Sequence, residues 1–200
     1  MGGAEVSEAF RVLFVCTANQ CRSAMAEVVA DDELARIKGG GVEFVSAGTH
    51  ALAGSPATNG TIMVLRERGI DLARHRATEL DAGVLAAADL VLAMTADHIG
   101  VVLAWERSAS RRTFTLGGFA RALEAARRSG VGAGTPDELV DLANEHREEL
   151  PADDVPDPVG QGSVAYERCA DRIDELVRPL VRALAGAARA TRAGSSKPAW

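Results

Sequence analysis

In the run Cys16-Thr-Ala-Asn-Gln-Cys-Arg22-Ser23 a thiol stands five residues ahead of an Arg-Ser pair. A cysteine is a strong nucleophile once ionised. A short loop ending at a helix start favours that state, because successive backbone N–H groups turn inward and the positive end of the helix dipole adds to them. The same ring of donors receives a tetrahedral oxyanion. Arg22 would contribute a planar fork matching two oxygens of a phosphoryl group, a task that lysine performs less well. Ser23 can donate a hydrogen bond to the sulfur and help it leave. The chemistry implied is transfer of a phosphoryl group onto sulfur, within a phosphate-binding loop made by Thr17, Ala18, Asn19, Gln20, Cys21 and Ser23. A buried structural thiol is the commoner fate of a lone cysteine. The conjunction weighs against it, since Cys, five residues and Arg-Ser arise by chance in only about one chain in a hundred of this size.

A nucleophile needs an acid to protonate the leaving oxygen. Asp157-Pro158 lies in Pro151–Gly162 (PADDVPDPVGQG), which its prolines and glycines make a loop. Asp153 and Asp154 compete for the role, and an aspartate in such a loop is commonly a solvated turn residue.

These groups have to be positioned. Arg11–Cys16 (RVLFVC) reads as a strand buried on both faces, and Ser23–Ile37 as a helix ended by Gly39, Gly40 and Gly41. Val42–Ser46 is a second strand. Ser55-Pro56 has the form of a helix cap followed by proline, with that helix closing at Gly69. A short helix near Asp81–Ala88 leads to a third strand, Asp89–Met94, and Thr95 can cap the helix after it. Arg112–Thr115 makes a fourth strand. Two helices fill 117–150, split by the Gly-rich run 129–134, with Thr135 and Glu138 at capping-box spacing. A final helix shows an apolar stripe from Tyr166 to Leu184 and loses its pattern after Gly186. Strands alternating with helices predict an α/β fold: one three-layer domain, a four-stranded parallel sheet flanked by helices, with the phosphate-binding loop after the first strand. The boundaries expected are a flexible N-terminus over 1–9, the domain over 10–185 and a flexible tail over 186–200.

Composition narrows the setting. Two hundred residues, 47% apolar and 25% charged, suit one globular domain. The net charge of −6 argues against nucleic acid and acidic membrane surfaces as partners. No run approaches the length of a membrane span, and Met1–Glu8 lacks the regions of a signal peptide. Three cysteines do not make a disulfide scaffold, so a cytoplasmic location is expected. His50, His75, His98 and His146 show no metal-ligand spacing, and neither metal nor cofactor is expected.

The chain from Arg11 to about Leu184 resembles the low-molecular-weight protein tyrosine phosphatase family, whose fold also serves arsenate reductases. The resemblance rests on V-C-x5-R-S at Val15–Ser23, M-A-E at Met25–Glu27, S-A-G-T at Ser46–Thr49, G-I-D-L…H-R at Gly69–Arg76, D-L-V-L-A-M at Asp89–Met94 and D-P at Asp157-Pro158. It implies Cys16 as nucleophile, Arg22 as transition-state clamp and Asp157 as general acid. It further implies Asn19, Ser46 and His75 as the hydrogen-bond network supporting the loop. The activity implied is metal-free hydrolysis of a phosphomonoester, protein phosphotyrosine first, through a cysteinyl-phosphate intermediate. Partners would be a phosphorylated protein or small phosphorylated substrate, with inorganic phosphate or similar oxyanions as inhibitors.

The sequence departs from that pattern at several points. Ala24 replaces the usual proline after Arg-Ser. His50-Ala51 and Val159 stand where phosphotyrosine enzymes carry aromatic walls, and Gln20 matches neither the tyrosine nor the arginine phosphatases. The run A-M-T…H at Ala93–His98 is similar to the protein-arginine phosphatases. Phosphoarginine in proteins or a metabolite phosphate are therefore alternative substrates. Arsenate reduction with an external thiol and non-catalytic oxyanion binding are alternative activities. For Cys21 the resemblance supports a reversible disulfide with Cys16, against simple packing. Cys169 is expected in the core, and the helix over Pro136–Leu150 either rims the site or elaborates the surface.

Overall fold

The computed structural model describes residues 9–128, 130, 133–147 and 153–194. Four strands, β1 (Phe10–Cys16), β2 (Val42–Gly48), β3 (Leu90–Ala93) and β4 (Thr113–Thr115), form one parallel sheet in the order β2-β1-β3-β4. The chain leaves β1 for β2 on one side and later returns to β3 on the other. The carboxyl end of β1 is thus the switch point where open α/β sheets hold ligands, and Cys16 occupies it.

Alternation along β1 divides the interior. Val12, Phe14 and Cys16 face one hydrophobic cluster, shared with α1 (Arg22–Arg36), α5 (Leu116–Arg128) and α7 (Ser163–Gly194). Leu13 and Val15 face the other with Leu85, Val91 and Val102, the last from α4 (Ala96–Trp105). These are the three layers the alternating pattern predicts. The remaining helices are α2 (Asn59–Glu67), α3 (Ala82–Ala86) and α6 (Pro136–Glu145). Ala24 is fully buried at the start of α1, which forms without the proline.

Several local expectations are corrected. The cap of α2 is Thr58, whose hydroxyl accepts from the Thr61 N–H; Ser55-Pro56 lies in the preceding loop. At α6, Thr135 accepts from the Glu138 N–H as expected, but the Glu138 carboxylate accepts from the Gly134 N–H instead of closing the box on Thr135. Lys38, not a glycine, takes the left-handed conformation after α1, at φ 48°. Gly39 serves close packing: a Cβ there would lie 2.4 Å from Leu34 Cδ1.

The expected end of the last helix at Gly186 is also corrected, because α7 runs on to Gly194. Ala187 and Ala188 are buried, and Arg189 donates to the carbonyls of Ile37 (2.8 Å) and Lys38 (3.0 Å) at the end of α1. Tertiary contact outweighs the weak helix preference of one glycine. Residues 1–8 and 195–200, most of the expected flexible ends, lie outside the described residues, as do 148–152.

The helix expected over Pro136–Leu150 is described only in part, since residues 148–150 lie outside the described residues. Its described part, α6, packs on α5 and α7. Just beyond its end, Arg147 donates to the Thr113 carbonyl at the amino end of β4 (2.9 Å) and lies 3.9 Å over the Phe114 ring. The catalytic-type loop occupies the opposite, carboxyl ends of the strands.

Candidate active site

After β1 the chain turns through residues 17–21 into α1 and brings back its own donors. The Asn19 N–H points at Cys16 Sγ (3.3 Å), and Ser23 Oγ lies 2.9 Å from the same sulfur. Asn19 adopts φ 54°, a left-handed conformation that asparagine tolerates better than most residues. Its buried side chain braces the loop in three directions. Nδ2 donates to Ser23 Oγ (2.9 Å) and Ser46 Oγ (2.7 Å), and Oδ1 accepts from the Thr78 N–H (2.8 Å). His75 Nε2 lies 2.6 Å from the Asn19 carbonyl, so that nitrogen carries the proton. The expected support residues Asn19, Ser46 and His75 therefore do meet.

Sequence reasoning assigned no role to three residues in this frame. Glu27, on α1, accepts from the Ser46 hydroxyl; burial pushes its carboxyl up, against the lowering effect of that hydrogen bond. Gly48 lies under the loop, where a Cβ would sit 2.6 Å from the Thr17 carbonyl oxygen and 2.8 Å from the Asn19 nitrogen. His98, buried on α4, has Nε2 2.9 Å from Thr17 Oγ1. Burial, and then the nearby Arg22 charge, hold this imidazole below the usual histidine range. Burial likewise lowers His75, against its hydrogen bond to Asn19. Glu27 and His98 stood in quoted motifs; what they touch could not be read from them.

Arg22 is buried and reaches the distant loop. Its Nη2 donates to Asp157 Oδ2 at 2.7 Å and its Nη1 to the Val155 carbonyl at 3.3 Å. The competing carboxylates are engaged elsewhere: Asp153 pairs with Arg121 and Arg172, and Asp154 accepts from the Ala96 N–H. Asp157 is the one of the three set against Arg22, with its carboxylate 46% exposed and open to a ligand.

Around the mouth, Thr17 and His50 are exposed and Gln20 is half-buried. Ala51 is buried, while Leu52 (76% exposed) and Val159 (53%), which follow His50 and Asp157-Pro158 in the chain, are exposed aliphatic side chains. All three cysteines are free thiols. Cys21 and Cys169 are both buried, and the neighbouring Cys21 thiol, then burial, pushes the Cys169 thiol up. Among the described residues no group of three or more His, Cys, Asp or Glu side chains is placed to hold a metal ion. No helix among them is long and apolar enough to cross a membrane.

A thiol faced by the Asn19 N–H and the Ser23 hydroxyl at the switch point of a parallel sheet, with the arginine of the same loop paired to a carboxyl, fits the class of enzymes that take a phosphoryl group onto sulfur. Comparison with known proteins narrows the class. Residues 11–131 match the family model described as low molecular weight phosphotyrosine protein phosphatase. The chain belongs to that family, and its relatives named protein-tyrosine-phosphatases are phosphoric monoester hydrolases. A protein-arginine-phosphatase of Geobacillus stearothermophilus is 41% identical over 107 residues, which are 54% of this chain and 69% of that protein. One from Bacillus subtilis is 30% identical over 173 residues, covering 86% of this chain and 95% of the relative. Among solved structures, an arginine phosphatase from G. stearothermophilus superposes with TM-score 0.68 at 29% identity, over 96% of this chain and 99% of that one. A low molecular weight protein tyrosine phosphatase from T. tengcongensis gives TM-score 0.68 at 31% identity, over 87% and 99%.

Proposed function

We propose that Cys16, Arg22 and Asp157 carry out metal-free hydrolysis of a phosphomonoester. The Cys16 thiolate attacks phosphorus, and the Sγ–P bond forms as the bond to the leaving oxygen breaks. Asp157 gives that oxygen its proton. Arg22 and the loop N–H groups hold the equatorial oxygens, supplying the positive charge the transition state needs. Ser23, at hydrogen-bond distance from the sulfur, stabilises the thiolate as it leaves. In the second half Asp157 takes a proton from water, which attacks the cysteinyl-phosphate, releases phosphate and restores the thiolate. The observation that carries this reading is the Arg22–Asp157 contact at 2.7 Å, which brings the loop of Cys16 and a carboxyl 135 residues away from Arg22 to one point.

The substrate proposed is a protein phosphotyrosine, with the protein in the cytoplasm and inorganic phosphate or related oxyanions as competitive inhibitors. A second reading, protein phosphoarginine, is favoured by the exposed aliphatic Val159 directly after Asp157-Pro158, which offers no aromatic partner to a tyrosine ring, and by the relatives named as arginine phosphatases. A stacking partner is worth about 0.5–1.5 kcal/mol beyond burial, enough to bias the choice between the two. The test is phosphate release from an aryl phosphate across pH 5–8 without metal, beside Cys16→Ser and Asp157→Asn. Turnover should vanish in the first variant and fall by about 10²–10⁴ in the second. Absence of wild-type turnover under reducing conditions refutes the reading. Phosphotyrosine and phosphoarginine peptides then decide the substrate.

A further inference from the structure

The corner between β3 and α4 touches both halves of the site. On one side, His98 in the first turn of α4 lies with Nε2 2.9 Å from the hydroxyl of Thr17, the residue after the nucleophile, and with Nδ1 2.8 Å from Thr95 Oγ1. On the other side, Asp154 Oδ1 accepts from the Ala96 N–H at 2.9 Å, and the Val155 N–H donates to the Met94 carbonyl at 2.8 Å. The loop that carries Asp157 therefore hangs from the same corner, three residues ahead of its acid. The division of labour is unusual for a helix start. Thr95 holds the cap position, yet its hydroxyl goes to the imidazole and caps no helix N–H. The first N–H of α4 is satisfied instead by a carboxylate from a loop 58 residues away.

We propose that this corner is a clamp that sets the nucleophile and the general acid relative to each other, with His98 the positioning residue for the phosphate loop and Asp154 that for the acid loop. The inference rests on the phosphatase reading above. A neutral imidazole accepts at one nitrogen and donates at the other, so the chain Thr95–His98–Thr17 fixes the Thr17 hydroxyl from one side while leaving the exposed mouth clear. Productive geometry is narrow, and small displacements of a reacting group are costly in rate. Two rigid anchors on one corner hold that geometry although Cys16 and Asp157 belong to different segments.

The two anchors differ in kinetics. Loosening the phosphate loop slows attack on every ester alike. Loosening the acid loop matters in proportion to the proton the leaving oxygen needs, so it is felt more with phenol than with nitrophenol. The experiment measures kcat/KM of the full chain for phenyl phosphate and p-nitrophenyl phosphate, with melting temperature recorded for each variant. Asp154→Ala should lose about fivefold more on the phenyl ester than on the nitrophenyl ester. Asp154→Asn keeps an acceptor for the Ala96 N–H and should stay within about twofold of wild type. Asp154→Glu, which displaces the acceptor by one methylene, shows the same leaving-group dependence in weaker form and serves where alanine impairs folding. His98→Leu should lose about tenfold on both esters, and His98→Gln, with an amide able to donate or accept near the place of Nε2, should recover most of it. Equal losses on the two esters for Asp154→Ala, an Asp154→Asn as impaired as the alanine variant, or no rescue by His98→Gln would overturn the clamp. A wild type that hydrolyses neither ester removes the phosphatase reading and the clamp with it; an active wild type with flat ratios removes the clamp alone.

Discussion

Asn19 shows how much a single residue can carry. Its backbone N–H faces the sulfur, its carbonyl takes the His75 proton, and its amide links Ser23, Ser46 and the Thr78 N–H. Alanine at this position would remove the bonds to Ser23 and Ser46, leave the Thr78 N–H without its acceptor and put a residue less tolerant of φ 54° in the left-handed region. Asn19→Ala should cost about 2–4 kcal/mol of stability and lower turnover by tenfold or more. Urea denaturation alongside aryl phosphate turnover checks both effects, and a variant with unchanged turnover would show that the loop keeps its shape without this brace. The active-site pair next to it is different in kind. Arg22 and Asp157 pair with each other at 2.7 Å, and the planar guanidinium is suited to an oxyanion as well.

At the scale of elements, the long helix α7 is bound to α1 by an ion cluster in the seam. Glu33 is buried and accepts from Arg182 (2.6 Å) and Arg178 (3.0 Å), while Arg178 also reaches Asp32 and Asp174 (both 2.9 Å). Burial alone would raise the Glu33 carboxyl, but the two arginines outweigh it and hold the group below the usual carboxylate range. Its folded pKa is thus depressed. The stability it contributes is full above the unfolded carboxyl value of about 4.3 and is lost as pH falls through the folded value. Arg178→Ala leaves Glu33 with two largely exposed partners, Arg182 and Arg36 (3.3 Å), so the loss should be about 2–4 kcal/mol, somewhat under that of a fully buried pair. Thermal unfolding at pH 7 and pH 4 tests this: the variant should fall well below wild type at pH 7, and the gap should narrow in acid. A gap that stays constant would mean that packing and not charge accounts for the loss.

For the whole molecule, the net charge of −6 does not oppose an anionic substrate, because charges beyond about 8 Å are screened at physiological salt while Arg22 acts at contact distance. The α5–α6 region belongs to the stabilising frame. Arg147 stacks on Phe114, which itself meets Phe119 of α5 edge-on at 5.1 Å. Arg147→Ala should lower stability by about 1–3 kcal/mol through the lost cation–π contact and the unsatisfied Thr113 carbonyl. Relative turnover on small and protein substrates should not change, since this contact lies at the amino ends of the strands. Melting temperature and the ratio of the two activities test the point together, and a shifted ratio would restore a role for α6 in substrate size.

The sequence by itself determined what is local. Cys16, Arg22 and Ser23 could be read because the loop places them within one turn of chain, and the four strands because each is a short apolar run between polar breaks. It also supplied the motif residues Asn19, Ser46 and His75, though not which atom of each meets which. Among Asp153, Asp154 and Asp157 the sequence singled out Asp157 only through the D-P resemblance, since all three sit in one irregular loop and the packing of that loop on β3, α4 and α7 gives each carboxylate its partner. The end of α7 was misread for a similar reason: Gly186 weakens the helix locally, but Arg189 is held at the end of α1, far off in sequence. What Gly48 and His98 touch could not be read from the motifs that contain them, because close approach of backbones and a ring meeting a loop across 81 residues are products of tertiary structure. Local propensity and motif spacing write the elements and the nucleophile; contacts between distant segments decide which carboxyl faces it and what holds the two apart.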